Sequence, residues 1–371
     1  MVGMLEVSTG TDVAVARRRA VAEIKRAKAI LSFTGSVDEA SWAYLDELHG
    51  RALVAGAAEL SEIQAVLTSE NEAAVEYFGI RSVDQVEAFL ERLEGRLTDE
   101  ENVLYVPKVE LDSLCTNYAP SAPTYRHLPP HCLFPIKPSG LRHHNPGPAL
   151  LEADLYFDMA TLWNALDQGQ GRTVGEGGWL VDECVTLGRA TIRAAFSLLE
   201  GYVNGIGLDV VLTSSGELSD KEVAYLTEWD RARSRPRALP LEEKVREYTR
   251  AAVDAKLSPV GTDLEPFASL LSAQREYRNA LTHPSVGFRG LSDYKEPVDV
   301  LMLLSKDEVA KVCDLVVGSI FALNEAIGKR FQDVAVWLHE RGPDGTFPMP
   351  GTYGSALLGQ EPAGHGGDAA S

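Results

Sequence analysis

The sequence predicts an all-α protein with two helical parts and an irregular segment between them. Apolar residues recur at helical spacing in residues 12–97 and again in the second half of the chain. Several of these segments begin with a capping box, in which Ser or Thr precedes Glu or Gln by three positions. Residues 98–150 are instead interrupted by recurring prolines. The predicted fold class is therefore all-α, with a small helical N-terminal domain, a Pro-rich connector and a C-terminal helical bundle.

Residues 1–97 form the predicted N-terminal helical domain. The boxes Ser36-x-x-Glu39 and Ser82-x-x-Gln85 predict the starts of two helices that follow the first one. The polar side of the first helix is rich in Arg and Lys, which is typical of a solvated face. These helices are the predicted binding surface for a regulatory partner protein. The apolar stripe of the first helix consists of Val13, Ala16, Ala20, Ile24, Ala27 and Leu31.

Residues 98–150 form the predicted Pro- and His-rich connector, with only short strands such as 103–106. Its Cys and His residues suggest zinc binding, but their spacing matches no familiar zinc pattern. Pro129 and Pro130 also prevent His127 and His131 from sharing a helix face. The sequence therefore predicts no metal site. The Cys and His residues of this segment are Cys115, His127, His131, Cys132, His143 and His144.

Residues 151–341 form the predicted helical bundle. Its longest apolar segment runs from about Trp179 to Leu212. Glu200 and Asn204 lie one turn apart on this segment, so their polar side chains face the same side of the helix. A polar pair on an apolar helix predicts a contact with polar groups of a neighbouring helix.

Capping boxes predict where later helices of the bundle begin. The boxes are Ser219-x-x-Glu222, Thr262-x-x-Glu265 and Ser305-x-x-Glu308. A shorter helix is predicted over residues 241–252, between the first two boxes. The last helix is predicted from about Lys306 toward Leu338. Residues 342–371 are rich in Gly, Pro, Ser and Ala, which predicts a disordered tail.

Composition indicates a soluble protein. The net charge of −19 opposes a role in coating nucleic acid, because non-specific binding depends on Lys and Arg, so any RNA contact must be local. No apolar run approaches the roughly 20 residues of a membrane span, and no signal peptide pattern opens the sequence. The four cysteines are far apart, as free thiols in a reducing compartment are. We expect a cytoplasmic protein that binds no membrane.

Basic residues are densest in residues 231–237, which contain Arg231 and Arg235. Their alternation with small residues and a Pro is typical of an exposed loop. Two interpretations follow: a solvated loop at a helix end, or a loop that holds phosphate beside an active site.

The segment most informative about function is residues 275–284, Arg-Glu-Tyr-Arg-Asn-Ala-Leu-Thr-His-Pro. It places a guanidinium, an amide and an imidazole at the end of an apolar helix. Arg presents a fork of donors that matches phosphate oxygens, and His transfers protons near neutrality. The spacing of Arg278 and His283 alone is weak evidence, because Arg126 and His131 repeat it inside the connector. The pair Arg278 and His283 is stronger evidence for a functional site, because it lies at the end of an amphipathic helix and Asn279 directly follows the Arg.

This combination resembles the HEPN superfamily, whose members are α-helical bundles with an Arg, a polar residue and, a few residues later, a His. The resemblance covers about residues 179–340, and its best stretches are 198–204, 241–244 and 275–284. It implies a homodimeric, metal-independent endoribonuclease of the kind found in toxin–antitoxin systems and antiviral defence, with RNA as substrate. The predicted catalytic residues are Arg278, Asn279 and His283. The predicted substrate-binding residues are Arg275, Glu200, Asn204, Lys244, Arg231 and Arg235.

Helix geometry constrains how these groups act. On an ideal helix, Arg275, Asn279 and His283 share one stripe, but Arg278 and His283 point about 140° apart. Pro284 disfavours helical geometry at His283, and a two-fold dimer would unite Arg and His from both protomers. In the expected reaction, His283 takes the proton of a ribose 2′-hydroxyl that attacks the adjacent phosphorus. Arg278 stabilises the charge on the non-bridging oxygens, and no metal or cofactor is needed.

Two alternatives stay open. The bundle is either a non-catalytic HEPN-like module that binds a nucleotide or a partner protein, or a scaffold without a ligand site. In the scaffold, Arg278 pairs with Glu200, and His283 caps the carbonyls of its own helix. The family's toxins that are silenced by nucleotidylation have a Tyr two residues after the His, where this chain has Ser285. An antitoxin that acts by that modification is therefore disfavoured.

Overall fold

The structure is a computed structural model, and helices form most of the chain it describes, as the predicted all-α class requires. The chain divides into two compact units. Unit 1 comprises residues 1–125 and 133–148, and unit 2 comprises residues 126–132 and 149–371. The described residues are 9–34, 39–94, 104–116, 128–136, 148–168, 173–174, 178–181, 183–214, 216–230, 235–236, 239–278 and 304–349.

Unit 1 is built around its first helix. Its helices are α1 (Thr9–Thr34), α2 (Glu39–Val54), α3 (Ala57–Phe78), α4 (Val83–Glu94) and α5 (Lys108–Leu114). Helix α1 packs along α3 and also contacts α2 and α4. Arg17, on the basic side of α1, donates from its guanidinium to the carbonyls of Ala52 and Ala55 at the end of α2. One residue of the predicted solvated face therefore caps a neighbouring helix. The buried core includes Ala20, Ile24, Leu45, Leu48, Leu60, Ile63 and Leu67.

The segment predicted to be a connector contributes to both units. Strands β1 (Leu104–Pro107) and β2 (Leu133–Ile136) form an antiparallel pair in unit 1, in which Leu104 lies opposite Ile136. The first of these strands lies where the sequence predicts one, and α5 follows it directly. Residues 128–132 belong instead to unit 2.

Unit 2 is a helical bundle around one long helix. Its elements are α6 (Leu151–Gln168), α7 (Glu183–Thr213), α8 (Asp220–Leu226), α9 (Leu241–Ala252), α10 (Phe267–Ala273), a π-helix (Gln274–Arg278), α11 (Lys306–Ala326) and a 3₁₀ helix (Val334–Val336). Two short antiparallel pairs complete it: β3 (Thr173–Val174) with β4 (Trp179–Leu180), and β5 (Trp229–Asp230) with β6 (Arg235–Pro236).

Helix α7 is the centre of this bundle, since α6, α9, α11 and the π-helix all pack against it. The prediction that no apolar run approaches the length of a membrane span is wrong for α7, which among the described residues is long and apolar enough to cross a membrane by length and composition alone. However, 61% of its most apolar 18-residue window is buried inside the protein, as in the core helix of a soluble bundle. The glycines of α7 permit close packing: a Cβ at Gly207 would lie 2.5 Å from the carbonyl oxygen of Leu226.

Two of the three predicted capping boxes in this half are present. Ser219 and Ser305 each accept a hydrogen bond from the backbone of the Glu three positions later, and that Glu accepts one in return. The prediction of a helix start at Thr262 is wrong, because α10 begins at Phe267. Pro266 explains the difference, since a proline disfavours helical geometry in the residue before it.

The last helix is shorter than predicted, ending at Ala326 instead of continuing toward Leu338. Gly328 has a φ of 64° and donates its N–H to the carbonyl of Glu325, and Lys329 donates to the carbonyl of Asn324. A glycine in the left-handed conformation is a common helix terminator.

The chain then returns along α6 in a segment that we call the C-terminal strap (residues 338–349). Asn164 binds both the N–H and the C=O of Phe347 at 2.9 Å, and Trp163 Nε1 donates to the carbonyl of Gly345 at 2.8 Å. The Phe347 ring packs edge-on against Tyr156 and Trp163. The prediction of disorder from residue 342 onward is therefore wrong for residues 342–349, and residues 350–371 lie outside the described chain.

If the strap belongs to the core, Phe347→Ala should destabilise the protein by about 3–5 kcal/mol, the usual cost of truncating a buried Phe. Phe347 is 1% exposed, whereas Met349 is 39% exposed and serves as the matched control. Urea denaturation followed by circular dichroism measures both variants. Similar losses in Phe347→Ala and Met349→Ala would contradict the packing of the strap.

Candidate functional site

The segment with the predicted motif begins in the π-helix, which continues α10 and packs against α7. In a π-helix the backbone hydrogen bonds span five residues, so each turn is wider than in an α-helix. The ideal α-helical geometry used to place Arg275 on one stripe with Asn279 and His283 is therefore wrong for residues 274–278.

The predicted catalytic group is only partly within the described chain. The backbone of Arg278 ends the π-helix, and the backbone of Arg235 lies in β6. The remaining catalytic and basic-loop predictions lie outside the described residues: the side chains of Arg278 and Arg235, and the whole of Asn279, His283 and Arg231. These assignments stay predictions.

The π-helix lies beside the first turns of two other helices. The exposed Arg275 guanidinium is 3.5 Å from Glu242 Oε2 in the first turn of α9. The Tyr277 hydroxyl is 3.3 Å from Glu308 Oε1 in the first turn of α11. Burial, together with Glu308 and Glu276, raises the pKa of Tyr277, so this phenol stays protonated and donates. Arg275, predicted to bind substrate, is thus near a carboxylate of its own chain.

The predicted substrate-binding residues Asn204 and Lys244 are in contact. Lys244 Nζ donates to Asn204 Oδ1 at 3.1 Å and to Glu228 Oε2 at 2.6 Å. Glu228 Oε1 accepts a hydrogen bond from the Leu239 N–H, so this carboxylate also holds the chain at the far end of the β5–β6 segment. The buried Lys244 ammonium is therefore neutralised inside the protein. Glu200 lies one turn before Asn204 on α7 and is half-buried.

A buried ionic cluster lies elsewhere in unit 2 and was missed by the sequence prediction. His131 lies between two carboxylates: its Nδ1 is 2.8 Å from Asp209 Oδ1, and its Nε2 is 2.9 Å from Glu152 Oε1. The His131 N–H also donates to Asp209 Oδ1 at 2.9 Å. All three side chains are buried. A Cβ at Gly205 would lie 2.3 Å from Glu152 Oε1, so this glycine of α7 makes room for the cluster.

The electrostatics of this cluster indicate a structural role. Burial lowers the pKa of His131, but the two carboxylates outweigh burial and raise the pKa to about 10. Burial also raises the pKa of Asp209, and His131 opposes that change. Near neutrality His131 is therefore an imidazolium, and both ring nitrogens donate hydrogen bonds. It connects residues 128–132 to α6 through Glu152 and to α7 through Asp209.

Part of this cluster was visible in the sequence. Asp209 is a single carboxylate in an apolar run of α7, and a buried charge needs a partner. His131 has no comparable signal, because it lies in the Pro-rich connector and its carboxylate partners are far away in sequence. Over the described parts of the chain, no group of His, Cys, Asp and Glu is arranged to hold a metal ion. In the His131 cluster, the imidazolium has no lone pair left to offer one.

No protein-family model, curated protein or solved structure matches the chain.

Replacing His131 by Asn should destabilise unit 2 by about 3–5 kcal/mol at pH 7, because two buried carboxylates lose their cation. His49→Asn, at a partly exposed site of unit 1, is the matched control, and urea denaturation is the measurement. A loss below about 1 kcal/mol would show that His131 does not hold the cluster together.

The same comparison has a defined pH dependence. Because the pKa of His131 is raised from 6.5 to about 10 on folding, its stabilisation is complete below pH 6.5 and is lost as the pH rises through about 10. The stability difference between wild type and His131→Asn should therefore shrink between pH 6.5 and 10. A constant difference across this range would contradict the assigned charge state.

Proposed function

We propose that the protein is a metal-independent endoribonuclease of the HEPN type, an effector in a toxin–antitoxin or antiviral defence system in the cytoplasm. The observation that carries this proposal is the position of the Arg278 motif. It begins at the end of a π-helix that packs against the central helix α7. π-helical turns are rare and occur frequently at functional sites. The stretch that resembles the family thus coincides with the one π-helical turn among the described residues.

The surroundings of the π-helix decide which residues are assigned to phosphate in this proposal. Arg275 and Tyr277 lie near the first turns of α9 and α11, where unpaired backbone N–H groups favour anions. Carboxylates occupy these turns, so they do not by themselves make a phosphate site. Phosphate contacts are therefore assigned to Arg278 and Asn279, with Arg231 and Arg235 holding more distant parts of the RNA.

The proposed reaction is transesterification. His283 takes the proton of the 2′-hydroxyl, the hydroxyl oxygen bonds to the adjacent phosphorus, and the 5′-oxygen leaves with a proton supplied by a general acid. The products are a 2′,3′-cyclic phosphate and a 5′-hydroxyl. Arg278 stabilises the charge on the non-bridging oxygens, and Asn279 orients His283 or the phosphate.

A second candidate function has a specific observation in its favour. Two cations predicted to bind substrate already lie near carboxylates of the chain, Arg275 near Glu242 and Lys244 near Glu228. With a net charge of −19, this pairing favours a non-catalytic module that binds a nucleotide or a partner protein. The RNase proposal therefore depends on Arg278 and His283 and not on a general basic surface.

Cleavage of total RNA in the presence of EDTA tests the proposal. Wild type should cut single-stranded RNA and leave 2′,3′-cyclic phosphate ends, and RNA methylated at its 2′-hydroxyls should be resistant. His283→Ala and Arg278→Ala should each reduce the rate by about 10²- to 10⁴-fold, the usual worth of acid–base catalysis. Arg246→Ala, an exposed Arg of α9 that bonds to Glu247, is the matched control and should retain activity.

Arg231→Ala and Arg235→Ala should weaken RNA binding and reduce its salt dependence, with little change in the cleavage step. Equal cleavage by wild type and His283→Ala would refute the catalytic assignment. No cleavage of a broad RNA panel by dimeric wild type, with any activating partner supplied, would favour the binding module.

The proposed active form is a homodimer through unit 2, as the resemblance to HEPN RNases implies, because two-fold symmetry would bring Arg and His of both protomers to one phosphate. Light scattering at micromolar concentration should give about twice the 40.3 kDa chain mass. Mixing Arg278→Ala with His283→Ala protomers should restore part of the activity. A monomer that cleaves RNA would contradict the composite site.

A further inference from the structure

We propose that Tyr277 and Glu308 are a positioning pair, which fixes the π-helix against α11 and thereby sets the direction in which Arg278 leaves it. The catalytic consequence rests on the proposed function, whereas the anchoring contact does not. Neither residue touches the reacting atoms in this proposal.

The Glu308 carboxylate makes hydrogen bonds both within the capping box of α11 and to the π-helix. Its Oε2 accepts hydrogen bonds from the Ser305 N–H and the Ser305 hydroxyl, both at 2.7 Å, which closes the capping box of α11. Its Oε1 is 3.3 Å from the Tyr277 hydroxyl. The capping box therefore fixes the orientation of the Glu308 carboxylate, so that Oε1 is already placed to accept a hydrogen bond from the Tyr277 hydroxyl.

Tyr277 is suited to be the donor in this contact. Its ring is half-buried, and burial and the nearby carboxylates keep its phenol protonated. A carboxylate oxygen has no proton to give, so the hydroxyl must donate. A hydrogen bond to a charged acceptor is also stronger than one between neutral groups.

Among the described residues, the other polar contact between the π-helix and a neighbouring helix is weaker, and the hydrogen bond between the Tyr277 hydroxyl and Glu276 lies within the π-helix itself. Arg275 and Glu242 are 3.5 Å apart, and both side chains are largely exposed. Exposed ion pairs contribute little, because water and salt screen them. Tyr277 therefore provides most of the polar contact that anchors this turn. The buried Leu271 and Ala273 of α10 provide the apolar packing.

The anchor matters because Tyr277 directly precedes Arg278. If the π-helix relaxed to an α-helix, the register would slip by one residue, and the side chain of Arg278 would turn by about 100° around the axis. A rotation of this size would move the guanidinium by far more than the displacement of about 1 Å that lowers a catalytic rate about 10²-fold. Holding Tyr277 in place prevents this slip.

A matched pair of substitutions tests the proposal. Tyr277→Phe and Tyr225→Phe each remove one tyrosine hydroxyl that donates to a glutamate, Glu308 or Glu243, but only Tyr277→Phe releases the π-helix. Two readouts apply to both variants: hydrogen exchange of the amides of residues 274–278, and kcat and KM on a labelled oligoribonucleotide that the wild type cleaves. Tyr277→Phe should exchange at least about tenfold faster and lose about 10- to 100-fold in kcat with KM nearly unchanged. Tyr225→Phe should match the wild type in both.

Each other result has a defined meaning. Unchanged exchange in Tyr277→Phe, or equal acceleration in both variants, overturns the anchor. Faster exchange with an unchanged kcat overturns the positioning role. If the wild type cleaves no RNA, the proposed function fails and exchange alone decides: acceleration in Tyr277→Phe alone supports the anchor, and any other pattern overturns it.

Discussion

Every polar side chain buried on the central apolar helix of unit 2 must find a partner, and this requirement connects the bundle. Asn204, which is exposed, accepts a hydrogen bond from the buried Lys244 of α9. Of the buried groups, Asp209 meets His131 of residues 128–132, and the Tyr202 hydroxyl lies 3.3 Å from Asn324 of α11. Unpaired, such groups would each cost several kcal/mol. Apolar contacts bring the helices together, but these polar contacts specify which turn of α7 faces which neighbour.

This arrangement limits where chemistry can occur in the described part of unit 2. The His131 imidazolium donates from both ring nitrogens, and Lys244 is neutralised by Glu228, so neither group is available to move a proton or to hold a phosphate. The motif that begins in the π-helix differs from these buried groups, because the side chain of its first residue, Arg275, is exposed to solvent. The polar contacts of α7 thus build a rigid support, and the proposed chemistry lies at its edge.

Local signals predicted much of the fold. Helix α9 has the predicted bounds, and the boxes at Ser219 and Ser305 start α8 and α11, because a capping box acts within four residues. Contacts distant in sequence were not predictable. The Gly- and Pro-rich composition around residue 345 predicts disorder, yet Asn164, 183 residues away from Phe347, fixes this segment. Likewise, His131 is 78 residues from Asp209. The π-helix packs against α7, and no local sequence signal predicts it.

In the proposed function, the imidazole of His283 contacts the phosphodiester of RNA. NMR of protein labelled with ¹⁵N in its histidine rings tests this directly, using a short RNA with a 2′-methoxy group at the cleavage site so that it binds but is not cut. The His283 resonances, identified by their loss in His283→Ala, should shift on saturation with this RNA. The bound phosphate should also raise the pKa of His283. If saturation leaves the chemical shifts and the pKa of His283 unchanged, His283 does not contact the phosphodiester and the proposed catalytic role is wrong.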